Sequence, residues 1–241
     1  MKSEIAQKII AQTQENYNLL ADEYTRTRAF ITPDIKQLAE YVKPGDRVLD
    51  SGCANGRLYE LVKERNAQYL GIDNSQALLD NAKSIYPQAQ FQLADALALP
   101  FADNSFDKVF SMSVIHHIPS KELRLKYMQE ALRVLKPQGL LVLRVWNMYV
   151  NKKAWDYIWK SALKKIFGMS EIDIDDIYFP WKDQNGNVVA QRYIHCFTDG
   201  ELEQLALQTG FKVVKVYKDQ KEVKKKTDQA IVNIYLIAQK P

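Results

Sequence analysis

The sequence predicts a doubly wound (Rossmann-like) α/β fold, with a mostly parallel seven-stranded sheet whose last strand is antiparallel. Three observations predict it. Between residues 45 and 146 short apolar runs alternate with segments of helical period, the pattern of parallel strands covered by helices on both faces. The first of those runs enters a small-residue loop that opens directly into a helix. The chain closes with two strand-like runs and no helical segment between them, which suits a final antiparallel pair at one side of the sheet.

Each element has its own signal. Residues 4–24 read as helical, and Thr32-Pro33 starts a second helix with Ile35, Leu38, Ala39 and Val42 on one face, ended by Lys43-Pro44-Gly45. Arg47 to Asp50 is a short strand leading into the loop 51–56, followed by a helix with Leu58, Leu61 and Val62 inward. Tyr69 to Asp73 is the next strand, and Ser75 caps a helix carrying Leu78, Ala82 and Ile85. Strands follow at Phe91 to Ala94 and Lys108 to Ser113. Ser120 caps a helix that buries Leu123, Tyr127, Ala131 and Leu135, and the turn Lys136-Pro137-Gln138-Gly139 delivers the strand Leu140 to Trp146. Residues 147–196 show no clear period and read as a cap or lid. Thr198 and Glu201 form a capping box for a helix with Leu202, Leu205 and Ala206 inward, and Gly210 stops it. The last strands are Phe211 to Tyr217 and Ile231 to Ala238.

The whole chain, 1–241, reads as one domain: helices over 1–44, the alternating core over 45–146, the cap over 147–196, and a helix with a strand pair over 197–241. A hydrophobic fraction of 46% and a charged fraction of 26% are ordinary for a soluble globular protein. Leu140 to Val145, the longest apolar stretch, is interrupted by Arg144 and is too short for a bilayer. The first residues carry charges and amides among their isoleucines, unlike a signal peptide, so a cytoplasmic location without membrane attachment is expected. Cys53 and Cys196 have no metal-ligand spacing and give no reason for a disulfide, so no metal is expected. A net charge of +4 permits an anionic partner. Lysines gather at 152, 153, 160, 164 and 165, and again at 215, 218, 221, 224, 225 and 226; as solvated loops they would only aid solubility.

The chemistry begins in VLDSGCANGRLYELV. Gly52, Ala54 and Gly56 let a backbone approach a ligand at the unpaired amides of a helix start, immediately after Asp50. The next strand ends in Asp73, where an acid grips a ribose diol, and the third ends in Asp95-Ala96, where a second acid can meet an adenine amino group. Singly, Asp50 and Asp73 could be capping or strand-end residues; the ordered series is harder to obtain by chance. Together with FDKVFSMSVIHHI and ALRVLKPQGLLVL, the series resembles the class I methyltransferases, which implies S-adenosyl-L-methionine as cofactor, bound by Asp50, Gly52, Ala54, Gly56, Asp73, Asp95 and Ala96. Two departures are Ala54 and Gln138, where many members carry glycine.

His116 and His117 follow the fourth strand on the ligand-binding edge, as general base or as positioning groups. YNLLADEYTRTR, DIYFPWK and QRYIHCFTDGELEQLALQTGF resemble the tRNA wobble-uridine carboxymethyl methyltransferases, both the stand-alone eukaryotic enzymes and those fused to an AlkB-like oxygenase. The matches are Tyr17, Asn18, Thr27, Arg28, Pro180, Trp181, Arg192, Tyr193, His195, Gly200, Glu201 and Leu202, with departures at Phe179 and Ile194 and no long polar insertion. The resemblance implies methylation of a 5-carboxymethyluridine carboxylate in tRNA, and a small zinc-ribbon activator as partner. Such a carboxylate is ionised near neutral pH and needs orientation rather than a base. Arg28 and Arg192 are the candidates for that task, with His116 and His195 as auxiliary donors and Tyr17, Asn18, His117, Trp181 and Tyr193 as acceptor-binding groups. Trp181 and Tyr193 would stack on an unstacked base, and the lysine clusters would track the phosphates. Plainer readings stand beside these: the arginines hold surface carboxylates, and the two rings are core aromatics. A small-molecule methyltransferase acting on a quinone, polyketide or carboxylic acid would share everything from Asp50 to Trp146. A silent cofactor-binding scaffold is the remaining alternative.

Overall fold

A computed structural model describes residues 1–219 and 232–241. Helices α1 (Ser3–Leu19), α2 (Ala21–Thr27) and α3 (Pro33–Leu38) precede strand β1 (Arg47–Ser51). Helix α4 (Tyr59–Glu64), strand β2 (Gln68–Asp73), helix α5 (Gln76–Ile85) and strands β3 (Gln90–Leu93) and β4 (Phe106–Met112) follow. Helix α6 (Lys121–Val134) and strand β5 (Leu135–Trp146) complete the alternating run. Beyond it lie helix α7 (Lys152–Ile166), strands β6 (Asp176–Lys182) and β7 (Val188–His195), helix α8 (Asp199–Gln208), and strands β8 (Lys212–Lys218) and β9 (Asn233–Gln239).

Seven strands form one sheet in the order β3-β2-β1-β4-β5-β9-β8, and β9 pairs antiparallel with both neighbours. Its central strands are buried on both faces while the edge strands β3 and β8 are largely exposed, and alternate side chains of the central strands feed two cores. Leu141, Leu143, Val145, Leu236 and Ala238 meet α6 and α8 through Tyr127, Met128, Leu202 and Leu205. Val142, Tyr235 and Ile237 meet α3 and α4 through Ile35, Leu38, Leu61 and Val62. Strand order reverses between β1 and β4, and that reversal opens the crevice at the carboxyl ends of the strands.

Three expectations change. Residues 4–24 are two helices broken at Leu20, because both are strapped separately to α5. Gln14 donates to the Asn74 carbonyl, Asn18 accepts from Ser75 Oγ and the Ala77 amide, and Asp22 accepts from Asn81. The cap segment is regular after all: α7 packs Ala154 and Ile158 on Ile177 and Ile194 of a β6–β7 hairpin. Exposed Trp155 and Trp159 on α7 blur its amphipathic period. The hairpin turn is built by Asp183 Oδ1, which accepts from the amides of Asn185 and Asn187, with Gly186 at a φ of +85°. The capping box is half made: Thr198 Oγ1 accepts from the Glu201 amide, but the Glu201 carboxylate turns to His195. Lys221, Lys224, Lys225 and Lys226 lie outside the described residues. Among the described residues no helix is long and apolar enough to cross a membrane.

Candidate active site

The loop after β1 is shaped by backbone bonds before any ligand is considered. The amides of Gly52 and Cys53 both donate to the Ile72 carbonyl at 2.8 Å, pinning the loop to the end of β2. Gly52 has a φ of +77°, and a Cβ there would collide with the Val114 side chain. A side chain at Gly52 would therefore fill the floor of the crevice. Above that floor lies a cavity of about 840 Å³, open mouth included. Gly52, Ala54, Asp73, Asp95 and Ala96 line it, with Ile72, Leu78, Leu97 and Ile118 as apolar walls. Asp73 Oδ2 accepts from the Ala54 amide and Oδ1 from the Ser75 amide, each at 2.9 Å, which fixes the carboxylate and leaves lone pairs for a ligand. Burial pushes the Asp73 carboxyl above its usual range against the pull of those amides. Asp95 is held similarly by the Leu97 amide at 2.8 Å.

Two residues of the sequence-based cofactor set do not line this cavity. Asp50 is buried behind it and accepts from the Tyr69 hydroxyl at 2.9 Å. Gly56 is required for packing, since a Cβ there would come within 2.6 Å of the Phe91 ring. Helices α1 and α2 supply groups the sequence reading did not select: Ile10, Thr13 and Tyr24 join Tyr17 over the cavity. Ile10, Thr13 and Tyr17 stand at i, i+3 and i+7 on α1, a helical stripe that was available as a signal.

A second cavity, about 830 Å³ with its mouth, is lined by Arg28, Arg192, Trp181, Tyr157, Lys153 and Lys182 among others, and by one acid, Glu23, which is paired with Arg26. Aromatic rings join the two cavities. Tyr17 and Tyr24 line the first and touch Trp181 of the second, at centroid distances of 5.3 and 6.2 Å. Both arginines are held by rings rather than by acids. The Arg192 guanidinium lies 5.0 Å from Trp146 and 4.8 Å from Trp181; that of Arg28 lies 4.3 Å from Tyr24 and 5.6 Å from Trp181. Neither forms a salt bridge among the described residues, so the surface ion-pair reading fails for both. The Arg28 carbonyl accepts from Asn55 Nδ2 at 3.2 Å, which ties this arginine to the loop after β1.

Several acceptor candidates belong to the scaffold instead. Asn18 Oδ1 helps to cap α5, accepting from Ser75 Oγ and the Ala77 amide. Tyr193 is buried against Ile9 and Ile172, so its ring cannot stack on a base; the core reading holds for it. Trp181 is buried too, and its faces serve the arginines. His195 uses both ring nitrogens, Nδ1 with Asp176 at 2.7 Å and Nε2 with Glu201 at 2.8 Å, and has none for a substrate. His116 is fully buried between His117 and Trp146, at 4.3 and 4.7 Å, and reaches neither cavity. Burial, with His117 beside it, holds its pKa well below the usual histidine value. His117 does reach the first cavity. Its Nδ1–H donates to the Tyr193 carbonyl at 2.8 Å, so Nε2 accepts from the Tyr17 hydroxyl at 3.0 Å. Burial lowers its pKa to about 4, and it is neutral at physiological pH. Trp146, which the sequence reading passed over, ends β5 at the same carboxyl edge and completes the Arg192 clamp.

The first cavity fits S-adenosylmethionine in its donor set: two anchored carboxylates for a diol and an exocyclic amine, apolar walls for a purine, and a loop floor that excludes side chains. Comparison with known proteins agrees. A family model described as a methyltransferase domain matches residues 49–143. A putative methyltransferase of Encephalitozoon cuniculi is 33% identical over 167 residues, covering 69% of this chain and 70% of that protein. The chain is a class I S-adenosylmethionine-dependent methyltransferase. Among relatives of this methyltransferase is the fission yeast tRNA (carboxymethyluridine(34)-5-O)-methyltransferase, 28% identical over 80% of this chain and 86% of that protein. The mouse protein of the same name, ALKBH8, is 35% identical over 63% of this chain, and the match spans only 22% of the mouse protein. In fold, the methyltransferase is similar to a Methanosarcina mazei S-adenosylmethionine-dependent methyltransferase (TM-score 0.71, 22% identity, 87% of this chain and 98% of that one). A putative Haloferax volcanii methyltransferase solved with its Trm112 activator gives a TM-score of 0.63 at 18% identity, over 93% and 97% of the two chains.

Proposed function

We propose that this methyltransferase esterifies the carboxylate of a carboxymethyl-type wobble uridine in tRNA. The observation that carries the reading is the pair of acid-free guanidinium groups, Arg28 and Arg192, lining one pocket beside the donor cavity. A half-buried arginine that pairs with no acid is free to take an anionic ligand. Its planar fork favours a carboxylate or phosphate. The names of the yeast and mouse relatives point to the same acceptor.

Asp73 would take the ribose diol, Asp95 and Ala96 the adenine edge, and Gly52 and Ala54 the main chain beside it. Bound S-adenosylmethionine supplies an electrophilic methyl group on a sulfonium. The acceptor carboxylate is already ionised near neutral pH, and the histidine at the cavity is neutral with both nitrogens engaged. No side chain has to remove a proton. Arg28 and Arg192 orient the carboxylate through one oxygen and leave the other free to attack. Tyr17, Tyr24 and Trp181 keep water away from the nucleophile. A zinc-ribbon activator, of the kind that accompanies the resembling family, would complete the working enzyme.

Labelled S-adenosylmethionine and total tRNA, followed by mass spectrometry of the nucleosides, tests the assignment. A base-labile methyl ester on a wobble uridine is expected. Label appearing in small metabolites alone would transfer the assignment to a small-molecule acceptor.

A further inference from the structure

Helix α7 holds Lys152, Lys153, Lys160, Lys164 and Lys165 against the single acid Asp156, a balance of +4 that equals the net charge of the entire chain. The rest of the sequence is therefore neutral on balance, and this helix is one of two basic concentrations in the chain, the other lying over 212–226. Lys153, Lys160 and Lys164 recur at i, i+7 and i+11, on one flank of the helix. Their spacings along the axis are about 10 and about 6 Å. All three are exposed and pair with no acid among the described residues. Lys153 and Tyr157 also line the two-arginine pocket, so the ridge starts at the pocket rim and runs away from it. The opposite flank carries Trp155 and Trp159, 40% and 61% exposed, with their indoles stacked at 6.3 Å and 29°. Trp155 also meets Tyr149 edge-on at 6.1 Å, but both indoles leave large apolar surface in solvent.

We infer that α7 is the docking helix for a single-stranded RNA loop: the Lys153–Lys160–Lys164 ridge follows its phosphates while Trp155 and Trp159 stack on its unpaired bases. A positive track combined with sequence-tolerant stacking platforms is how proteins hold unpaired nucleic acid. Continuity with the pocket gives the track a purpose, since a strand lying along α7 would deliver one splayed nucleotide to Arg28 and Arg192. This inference rests on the tRNA reading above and adds the surface that would grip the RNA.

The test uses the full chain, an anticodon stem-loop RNA, and two double variants, Lys160→Gln/Lys164→Gln and Trp155→Ala/Trp159→Ala. All four positions are exposed, so both variants are expected to melt with the wild type and to bind S-adenosylmethionine equally in calorimetry. The lysine variant should weaken RNA binding about tenfold and lower the slope of log K against log salt by about 1.4, for two phosphates of a single strand. The tryptophan variant should weaken binding about tenfold or more with little change in that slope. In methylation assays both losses should fall on KM for RNA. Wild-type methylation of tRNA with unchanged KM in both variants would overturn the docking role alone and leave the acceptor assignment standing. No RNA binding by the wild-type chain would remove both. Tight binding of wild type to phosphatidylserine vesicles, abolished by Trp155→Ala/Trp159→Ala while RNA affinity is unaltered, would make α7 a membrane-surface helix and overturn the inference.

Discussion

Two residues that depart from the family's usual glycines sit where the backbone asks for glycine. Ala54 has a φ of +49° and Gln138 a φ of +66°, the left-handed region that costs an L-residue about 1–2 kcal/mol. Ala54 lies at the ligand loop, where its amide holds Asp73, whereas exposed Gln138 lies in the turn before the central part of β5. Gln138→Gly should therefore stabilise the protein by about 0.5–1 kcal/mol, after the greater entropy of an unfolded glycine is offset, and raise the melting temperature by about 2 °C. Arg192 offers a sharper functional test. Arg192→Ala should leave donor affinity near wild type in calorimetry and reduce methyl transfer by about 100-fold or more, since orientation of the acceptor is lost. Arg192→Lys should recover little of it, because an ammonium keeps the charge but neither the planar fork nor the stacking between Trp146 and Trp181.

At the scale of elements, the hairpin is fastened to α8 by an Asp176–His195–Glu201 chain, buried at Asp176 and His195 and half-exposed at Glu201. Burial opposes the charged imidazole, but hydrogen bonds to both acids outweigh it and raise the His195 pKa above the usual value. Burial likewise opposes ionisation of Asp176, and the bond from His195 holds its pKa below the usual range. A raised histidine stabilises the fold fully below its unfolded pKa of about 6.5, and the contribution fades as pH rises through the folded value. His195→Leu should cost about 3–5 kcal/mol near pH 6 by urea unfolding, because it leaves Asp176 buried and unpaired. The deficit against wild type should shrink as the pH is raised. The hairpin was legible in Asn185-Gly186 between two β-rich runs, a turn signal that outranks the missing period. His195 was misread because a histidine in a family motif looks the same whether it faces a substrate or two carboxylates.

For the whole molecule, Asp50 sets a pH dependence of stability. Burial pushes its carboxyl up to about 7, against the pull of the Tyr69 hydroxyl. The native state therefore holds a proton between about pH 4 and pH 7 that the unfolded chain has released, and stability falls across that window, by up to about 4 kcal/mol. Donor-free Asp50→Asn should match wild type near pH 4 and melt higher at pH 8, because an amide accepts the Tyr69 bond without a desolvated charge. An unchanged pH profile would show that Asp50 is not the group responsible. The alternation of strands and helices, the loop after β1 and the acids at the tips of β2 and β3 were all readable in the chain, because period, capping and strand-end chemistry are local. Asp50 and Gly56 looked like ligand contacts by the same local logic, yet which side of the loop faces the cavity depends on what packs behind it, here Tyr69 and Phe91. Sequence alone determined the parallel sheet, its methyl-donor crevice and the identity of the two arginines. Tertiary structure alone decided that those arginines meet over Trp181 without an acid between them, while Asn18, Tyr193 and His195 serve the scaffold. Partners from distant segments are chosen by packing, and no spacing along the chain records that choice.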